Sequence, residues 1–187
     1  MAVSTDPPEA ATPMTTRPGG PALGSRPAPP TGLLRGLLQL PAVLYRANLG
    51  FLLGHRFLLL VHTGRRTGRN RQTVLEVVRY DPRNKESVVA AGWGRRTQWL
   101  HNVEAGLATE VRTGRDRFQP VHRVLEVDEA ADIFRSYLRR NRLIAPVIRR
   151  VLGSLLGWRF DGSSTAIRTA AEQLPFVAFR PLGGGEE

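Results

Sequence analysis

The chain contains no cysteine among its 187 residues. This absence excludes disulfide bonds, thiol nucleophiles, cysteine-ligated zinc and iron–sulfur clusters. The sequence also lacks an HExxH metal motif, a GxSxG elbow and a close pair of carboxylates. Four histidines lie far apart, so we predict no metal site and interpret each histidine as structural. If the protein is an enzyme, its reactive atom is expected to belong to a bound cofactor.

Long apolar runs are also missing. Leucine is frequent between residues 33 and 61, but arginines divide this stretch into pieces shorter than the roughly 20 residues that a membrane-spanning helix needs. The leucines recur at helical spacing, which predicts an amphipathic helical segment over residues 32–55, interrupted at Pro41. This segment either covers the core or docks on an anionic membrane. No secretory signal is recognisable, so we expect a cytoplasmic protein, with membrane association as the alternative.

Negative charge is scarce relative to positive charge. The chain has 27 Lys and Arg residues against 16 Asp and Glu, a formal net charge of +11, and Lys85 is the only lysine. Partners are therefore expected to be anionic: a phosphorylated cofactor, an acidic lipid surface or a nucleic acid.

A loop rich in arginine and glycine follows the first strand-like run. Glycine allows close backbone approach to an oxyanion, threonine adds hydroxyl donors, and guanidinium groups offer paired donors with a permanent charge. These residue types predict a phosphate site; the alternatives are a solvated turn or a general polyanion patch. The candidate residues are Thr63, Gly64, Arg65, Arg66, Thr67, Gly68 and Arg71.

A second glycine-rich element lies at Gly92-Trp93-Gly94. Tryptophan beside glycine offers a flat apolar wall that suits a planar ring. Trp99 and Asn102 are three residues apart on a predicted helix, so they share a face and could present an aromatic surface and an amide to one ligand. Alternatively, Trp99 is a core anchor.

The pattern of apolar runs and turns predicts an α+β fold, a small barrel of five or six antiparallel strands with inserted helices. We expect Thr97 and Asp128 to cap two of the helices. Strands are predicted at 57–61, 73–80, 87–91, 108–112, 118–127 and 176–179, and helices at 98–105, from 128, at 146–156 and at 164–173. The organisation is a disordered leader rich in Pro, Ala, Thr and Gly (1–31), the amphipathic segment (32–55), the barrel domain (56–182) and a disordered tail (183–187).

The order of these motifs resembles the deazaflavin-dependent nitroreductase family, whose members use coenzyme F420. An apolar strand, T-G-R-R-T-G-x-x-R, a strand pair and G-W-G-x-x-x-x-W-L-H-N-V-x-A carry the resemblance, which extends from about Leu44 to Arg180. It implies a single split β-barrel of the FMN-binding type, with flanking helices, in which the reduced deazaflavin donates hydride to a substrate stacked on its ring.

The resemblance also implies roles for the candidate residues. Arg65, Arg66, Thr67, Gly68 and Arg71 would hold the phosphate and acidic tail of the cofactor. Gly92, Trp93 and Gly94 would line the ring, with Trp99 and Asn102 fixing the wall behind it. The serine that often precedes a lysine at the Gly92-Trp93 position of the family is absent here, and Tyr137 is assigned to the substrate side.

The leading hypothesis is an F420H2-dependent oxidoreductase that reduces a quinone, nitroaromatic or enone. Its partners would be a small-molecule acceptor and, by analogy with other split barrels, a second copy in a homodimer; no nucleic acid is expected. The alternatives are a non-catalytic F420 carrier and a basic module that binds membrane or nucleic-acid surfaces.

Overall fold

The computed structural model of the protein describes residues 50–183. The leader at 1–31, most of the helical segment at 32–55 and residues 184–187 of the tail lie outside this part. The C-terminal end of the helical segment is described, and it contains a short 3₁₀ helix at Gly50–Leu53.

Seven antiparallel strands form one curved sheet in the order β5-β4-β1-β2-β3-β7-β6. They are β1 (Phe57–Thr63), β2 (Asn70–Asp81), β3 (Glu86–Ala90), β4 (Ala108–Thr113), β5 (Asp116–Phe118), β6 (Pro120–Val124) and β7 (Phe176–Pro181). The edge strands β5 and β6 are consecutive, and Gln119 alone joins them, so the sheet must curl until its edges approach each other. The result is a nearly closed barrel, and the prediction of a split β-barrel is confirmed.

The predicted single strand at 118–127 is wrong. The chain changes partner at Gln119, because β5 pairs with β4 whereas β6 pairs with β7. Pro120, which has no amide hydrogen to donate, occupies the first position of β6, where proline is tolerated. Within residues 50–183 the barrel therefore has seven strands, more than the five or six expected.

Four α-helices accompany the barrel within residues 50–183. They are α1 (Gln98–Glu104), α2 (Val127–Arg140), α3 (Ala145–Leu156) and α4 (Ser164–Gln173). The two predicted caps are wrong. Thr97 precedes α1, but its hydroxyl donates to the Gly94 carbonyl at 2.7 Å instead of capping the helix. Asp128 lies inside the first turn of α2, one residue after the helix begins, where its charge is favourable to the helix dipole.

Two apolar cores lie on opposite faces of β3 and β7. Val89, Val177 and Phe179 face the barrel interior, where α1 adds Trp99, Leu100 and Val103. Val88, Phe176 and Ala178 face the opposite way, against α2 and α4. Because both faces are buried, these strands appear in the sequence as continuous apolar runs instead of alternating ones.

Candidate functional site

The loop between β1 and β2 closes on itself through its backbone. Gly64 donates its amide to the Arg69 carbonyl at 2.9 Å, and the Gly64 carbonyl accepts the amides of Thr67 and Gly68 at 3.0 and 2.8 Å. Gly68 has a φ of 62°, in the left-handed region that favours glycine. The amides of Gly64 and Gly68 are therefore used by the loop itself and are not free to bond to an oxyanion. The side chains of the loop remain as donors.

Two side-chain donors of the loop converge above Gly64. A Cβ atom at this position would lie 2.9 Å from Thr67 Oγ1 and 3.0 Å from Arg71 Nε, closer than a side chain tolerates. A larger residue here would force these side chains to shift, and the lack of a Cβ allows a hydroxyl and a guanidinium to approach the same point. Such a pair suits an anionic oxygen.

Asn102 anchors the arginine loop to α1. Its Oδ1 accepts the backbone amide of Arg65 at 3.2 Å and Arg65 Nη1 at 3.4 Å. Arg65 Nη1 also donates to Gln98 Oε1 at 3.4 Å, one turn earlier on the helix. The Asn102 side chain is buried, with 3% of its surface exposed. The two sequence motifs, far apart in the chain, therefore meet at this asparagine.

His62 of β1 supports Asn102 through a further hydrogen bond. Asn102 Nδ2 donates to His62 Nδ1 at 2.9 Å, and His62 Nε2 lies 3.2 Å from Thr73 Oγ1. Because the amide nitrogen can only donate, His62 Nδ1 must accept, so the neutral ring carries its proton on Nε2. Burial lowers the pKa of His62, and the positive charge of Arg71 lowers it further. The neutral imidazole is therefore the form that supports the loop.

The surface around this anchor is strongly positive. The arginine patch consists of six exposed arginines from the loop and from the turn that precedes α1. Within residues 50–183, none of the six forms an ion pair with a carboxylate. The patch comprises Arg65, Arg66, Arg69, Arg71, Arg95 and Arg96. Its charge is available to an anionic ligand.

The Gly92-Trp93-Gly94 turn follows β3 and lies between the barrel and the outer helices. Gly94 has a φ of 60°, and a Cβ there would come within 2.8 Å of the Gln173 carbonyl. A Cβ at Gly92 would meet Leu155 of α3 at an ordinary 3.8 Å. The Trp93 side chain is 75% exposed, so its ring is accessible.

Trp99 lies in the barrel core instead of on an open surface. Its side chain is 7% exposed, and its ring is tilted against Phe179 with centroids 6.4 Å apart. This position agrees with the alternative interpretation, in which Trp99 anchors the core. Trp99 and Asn102 are both buried on α1, and of the two Asn102 forms hydrogen bonds with the loop.

Tyr137 is remote from the arginine loop. Its hydroxyl donates to Glu76 Oε1 at 2.9 Å, and Glu76 pairs with Phe57 at the opposite end of β1 from the loop. Glu76 lies six positions along β2 from Asn70 at the loop, about 20 Å at the rise of a strand. Burial raises the pKa of Tyr137, and the charge of Glu76 raises it further. The structure does not bring Tyr137 together with the arginine loop.

Sequence reasoning missed the roles of His62, Thr73 and Gln98. A signal for His62 was present, because it follows Leu58 and Leu60 at alternate positions of β1, and all three are buried. A histidine at an inward strand position needs hydrogen-bond partners, but the sequence does not identify them. Thr73 and Gln98 carry no comparable signal.

Two features are absent from the described residues. No group of three or more His, Cys, Asp or Glu residues in this part of the chain could hold a metal ion. No helix within residues 50–183 is both long and apolar enough to cross a membrane.

Comparison with known proteins identifies one family. The model of the F420H2-dependent quinone reductase family matches residues 43–144, which include the arginine loop, the Gly92-Trp93-Gly94 turn and α1. No curated protein matches the chain.

Three solved structures are similar at low identity. An F420-H2 dependent reductase, FDR-A, shares 19% identity over 68% of this chain and 95% of its own, with a TM-score of 0.42. A structure described as a domain-swapped dimer shares 16% over 75% of this chain and 99% of its own, with a TM-score of 0.43. A Clostridium acetobutylicum protein related to general stress protein 26 of B. subtilis, of the pyridoxinephosphate oxidase family, shares 7% over 75% and 84%, with a TM-score of 0.39.

Proposed function

The chain belongs to the F420H2-dependent quinone reductase family, and on this premise we propose that it reduces a quinone with hydride from reduced coenzyme F420. Membership makes the protein an oxidoreductase with the reduced deazaflavin as its cofactor. Nitroaromatics and enones are further acceptors that we propose, because they too are conjugated electron acceptors. A cytoplasmic location and a homodimer remain predictions.

The donor set of the loop fits the acidic part of this cofactor. Thr67 Oγ1 and Arg71 Nε converge above Gly64, and the arginine patch around them has no carboxylate partner within residues 50–183. Guanidinium and hydroxyl groups are strong donors to phosphate and carboxylate oxygens. This convergence is the observation that carries the proposal.

We assign three tasks to the residues of the chain. Side chains of the loop, with Arg65, Arg66 and Arg71 foremost, bind the phosphate and acidic tail of the cofactor. Gly92, Trp93 and Gly94 form the surface beside its ring. Asn102, supported by His62, orients the loop from behind without itself contacting a ligand.

When bound, the reduced deazaflavin supplies the hydride. The chain needs no nucleophile of its own for such a transfer, in agreement with the lack of cysteine and of the usual catalytic motifs. Selectivity among acceptors would then depend on the side chains that border the ring.

The test is a fluorescence titration with coenzyme F420, with FMN and NADPH run beside it at the same salt concentration. We expect selective binding by the wild type and turnover with a soluble quinone. Arg65→Ala combined with Arg66→Ala should weaken F420 binding about 100-fold, since each charge-assisted contact contributes about 1.5 to 3 kcal/mol.

A matched control separates specific contacts from net charge. Arg83→Ala with Arg115→Ala removes the same charge from two exposed turns at the opposite end of the barrel. Unchanged affinity in the loop variant, or an equal loss in the control variant, would refute the loop assignment. Binding without turnover would instead identify a carrier protein.

A further inference from the structure

An apolar stripe lies exposed along α3 and the turn before it. Leu143 is 91% exposed, Val147 59% and Val151 51%, and they recur every four residues, so they share one face of the helix. Ile144, 43% exposed, lies beside them. Aliphatic side chains in such an uninterrupted row are unusual on a free surface.

The core does not account for this stripe. Leu152, Ile148 and Leu156 lie on the inward side of α3. Leu152 is buried, and the other two pack against the core that the sheet shares with α2 and α4. The helix is therefore apolar over a wider arc than its contact with the protein covers. Within residues 50–183, nothing covers the outward part.

Positive charge borders the stripe. Four arginines and no Asp or Glu occur in residues 141–160, which contain α3. A cleft of about 430 Å³ on the flank of α3 is lined by Arg149, Arg150 and Arg159, with Asp161 as the one acidic residue of its wall. An aliphatic strip bordered by arginines matches the boundary between headgroups and acyl chains of an anionic bilayer.

The apolar occupants that the chain itself offers bring the wrong charge. A second copy docked symmetrically would set the same arginines against each other. The N-terminal segment at 33–49 also carries two arginines and no acid. Like charges at an interface are unfavourable, so the face needs an anionic partner, and its row of Leu and Val side chains favours lipid.

We propose that the outward face of α3 docks the protein on an anionic lipid surface, with Leu143, Val147 and Val151 at the acyl boundary and the flanking arginines at the headgroups. The Gly92-Trp93-Gly94 turn lies beside α3, since a Cβ at Gly92 would be 3.8 Å from Leu155, so docking would bring the exposed Trp93 towards the membrane. This surface is separate from the arginine loop.

The test is co-sedimentation of the full chain, without cofactor, with phosphatidylcholine vesicles that contain or lack phosphatidylglycerol. We expect binding only to the anionic vesicles, and weaker binding as salt increases. Val147→Asn with Val151→Asn should lower binding about tenfold through lost apolar insertion. Arg142→Gln with Arg150→Gln should lower it about fivefold for each arginine.

Controls test whether the valine variant folds and whether the effect is specific to the face of α3. Asparagine has nearly the helix propensity of valine, so the valine variant should unfold at the wild-type temperature. Leu182→Asn and Arg83→Gln remove an exposed leucine and an exposed arginine elsewhere and should bind as the wild type does.

Three results would overturn the proposal: no binding to either vesicle, equal binding to both, or full binding by the valine variant. Sedimentation velocity adds a fourth, a wild-type dimer that the valine variant dissociates, which would make a second copy the occupant. None of these results bears on F420 binding, which is measured without lipid.

Discussion

Replacing Asn102 tests whether a buried amide that touches no ligand controls the cofactor site. In Asn102→Ala, the Nδ1 atom of His62 loses its donor in a buried position, and the backbone amide of Arg65 loses its acceptor. The buried His62 Nδ1 would be left unsatisfied, which costs about 1 to 3 kcal/mol. The backbone amide of the exposed Arg65 can instead form a hydrogen bond with water. We expect stability to fall by about 2 kcal/mol, seen as a melting temperature about 4 to 8 °C lower.

The effect on binding should exceed what lost stability explains. Without Asn102, the loop must be ordered by the ligand itself, and fixing one residue costs about 1 to 2 kcal/mol, or about tenfold in F420 affinity. Asn141→Ala is the matched control, because this amide also makes a side-chain hydrogen bond, to the carbonyl of Tyr137, but on α2. It should lower stability and leave affinity unchanged.

Asn102→Asp distinguishes positioning from packing. The carboxylate can still accept from Arg65, but it can no longer donate to His62, so His62 must carry a proton on Nδ1. The ring can do this as the other neutral tautomer, with Nε2 accepting from the Thr73 hydroxyl, or as the imidazolium, which the nearby carboxylate charge favours. The variant should therefore raise the pKa of His62, measurable by NMR titration, and recover affinity as the pH falls. Wild-type affinity in Asn102→Ala, or an equal loss in Asn141→Ala, would refute the reasoning.

Other predictions follow from single positions. Because the pKa of His62 is lowered in the folded protein, the unfolded chain takes up the imidazole proton at a higher pH than the folded chain does. The stability that neutral His62 contributes is therefore complete above about pH 6.5 and declines as the pH falls from there to the folded pKa. His62→Gln should flatten that part of a profile of melting temperature against pH. Gly64→Ala should cost about 1 to 3 kcal/mol and weaken F420 binding, because both converging donors must move; a calorimetric scan and a titration showing no change would contradict this. Gly94→Ala should cost about 2 to 4 kcal/mol, since it combines positive φ with a contact to backbone; soluble protein with unchanged denaturant midpoint would disprove it. Tyr137→Phe should leave F420 affinity unchanged and stability within about 1 kcal/mol; altered KM for the acceptor alone would support its substrate-side role.

Much of the barrel could be predicted from local patterns. The strands at 57–61, 73–80 and 176–179 and the helix at 164–173 carry strong periodicity or continuous apolar runs, and each is present in the structure. The break at Gln119 could not be predicted in this way. Residues on both sides of it are extended, and only the choice of partner strand differs.

The sequence by itself determined a small antiparallel barrel and the composition of the arginine loop, because strand propensity and clustered charge are properties of short segments. It predicted a bound cofactor only on the condition that the protein is an enzyme. Only the tertiary structure decided that the loop uses the amides of its glycines internally, that Trp99 faces the core and that Asn102 joins the loop to His62. It also decided that the row of Leu143, Val147 and Val151 lies outward. Hydrogen bonds and burial between distant segments depend on how the sheet closes, and closure is a property of the whole chain.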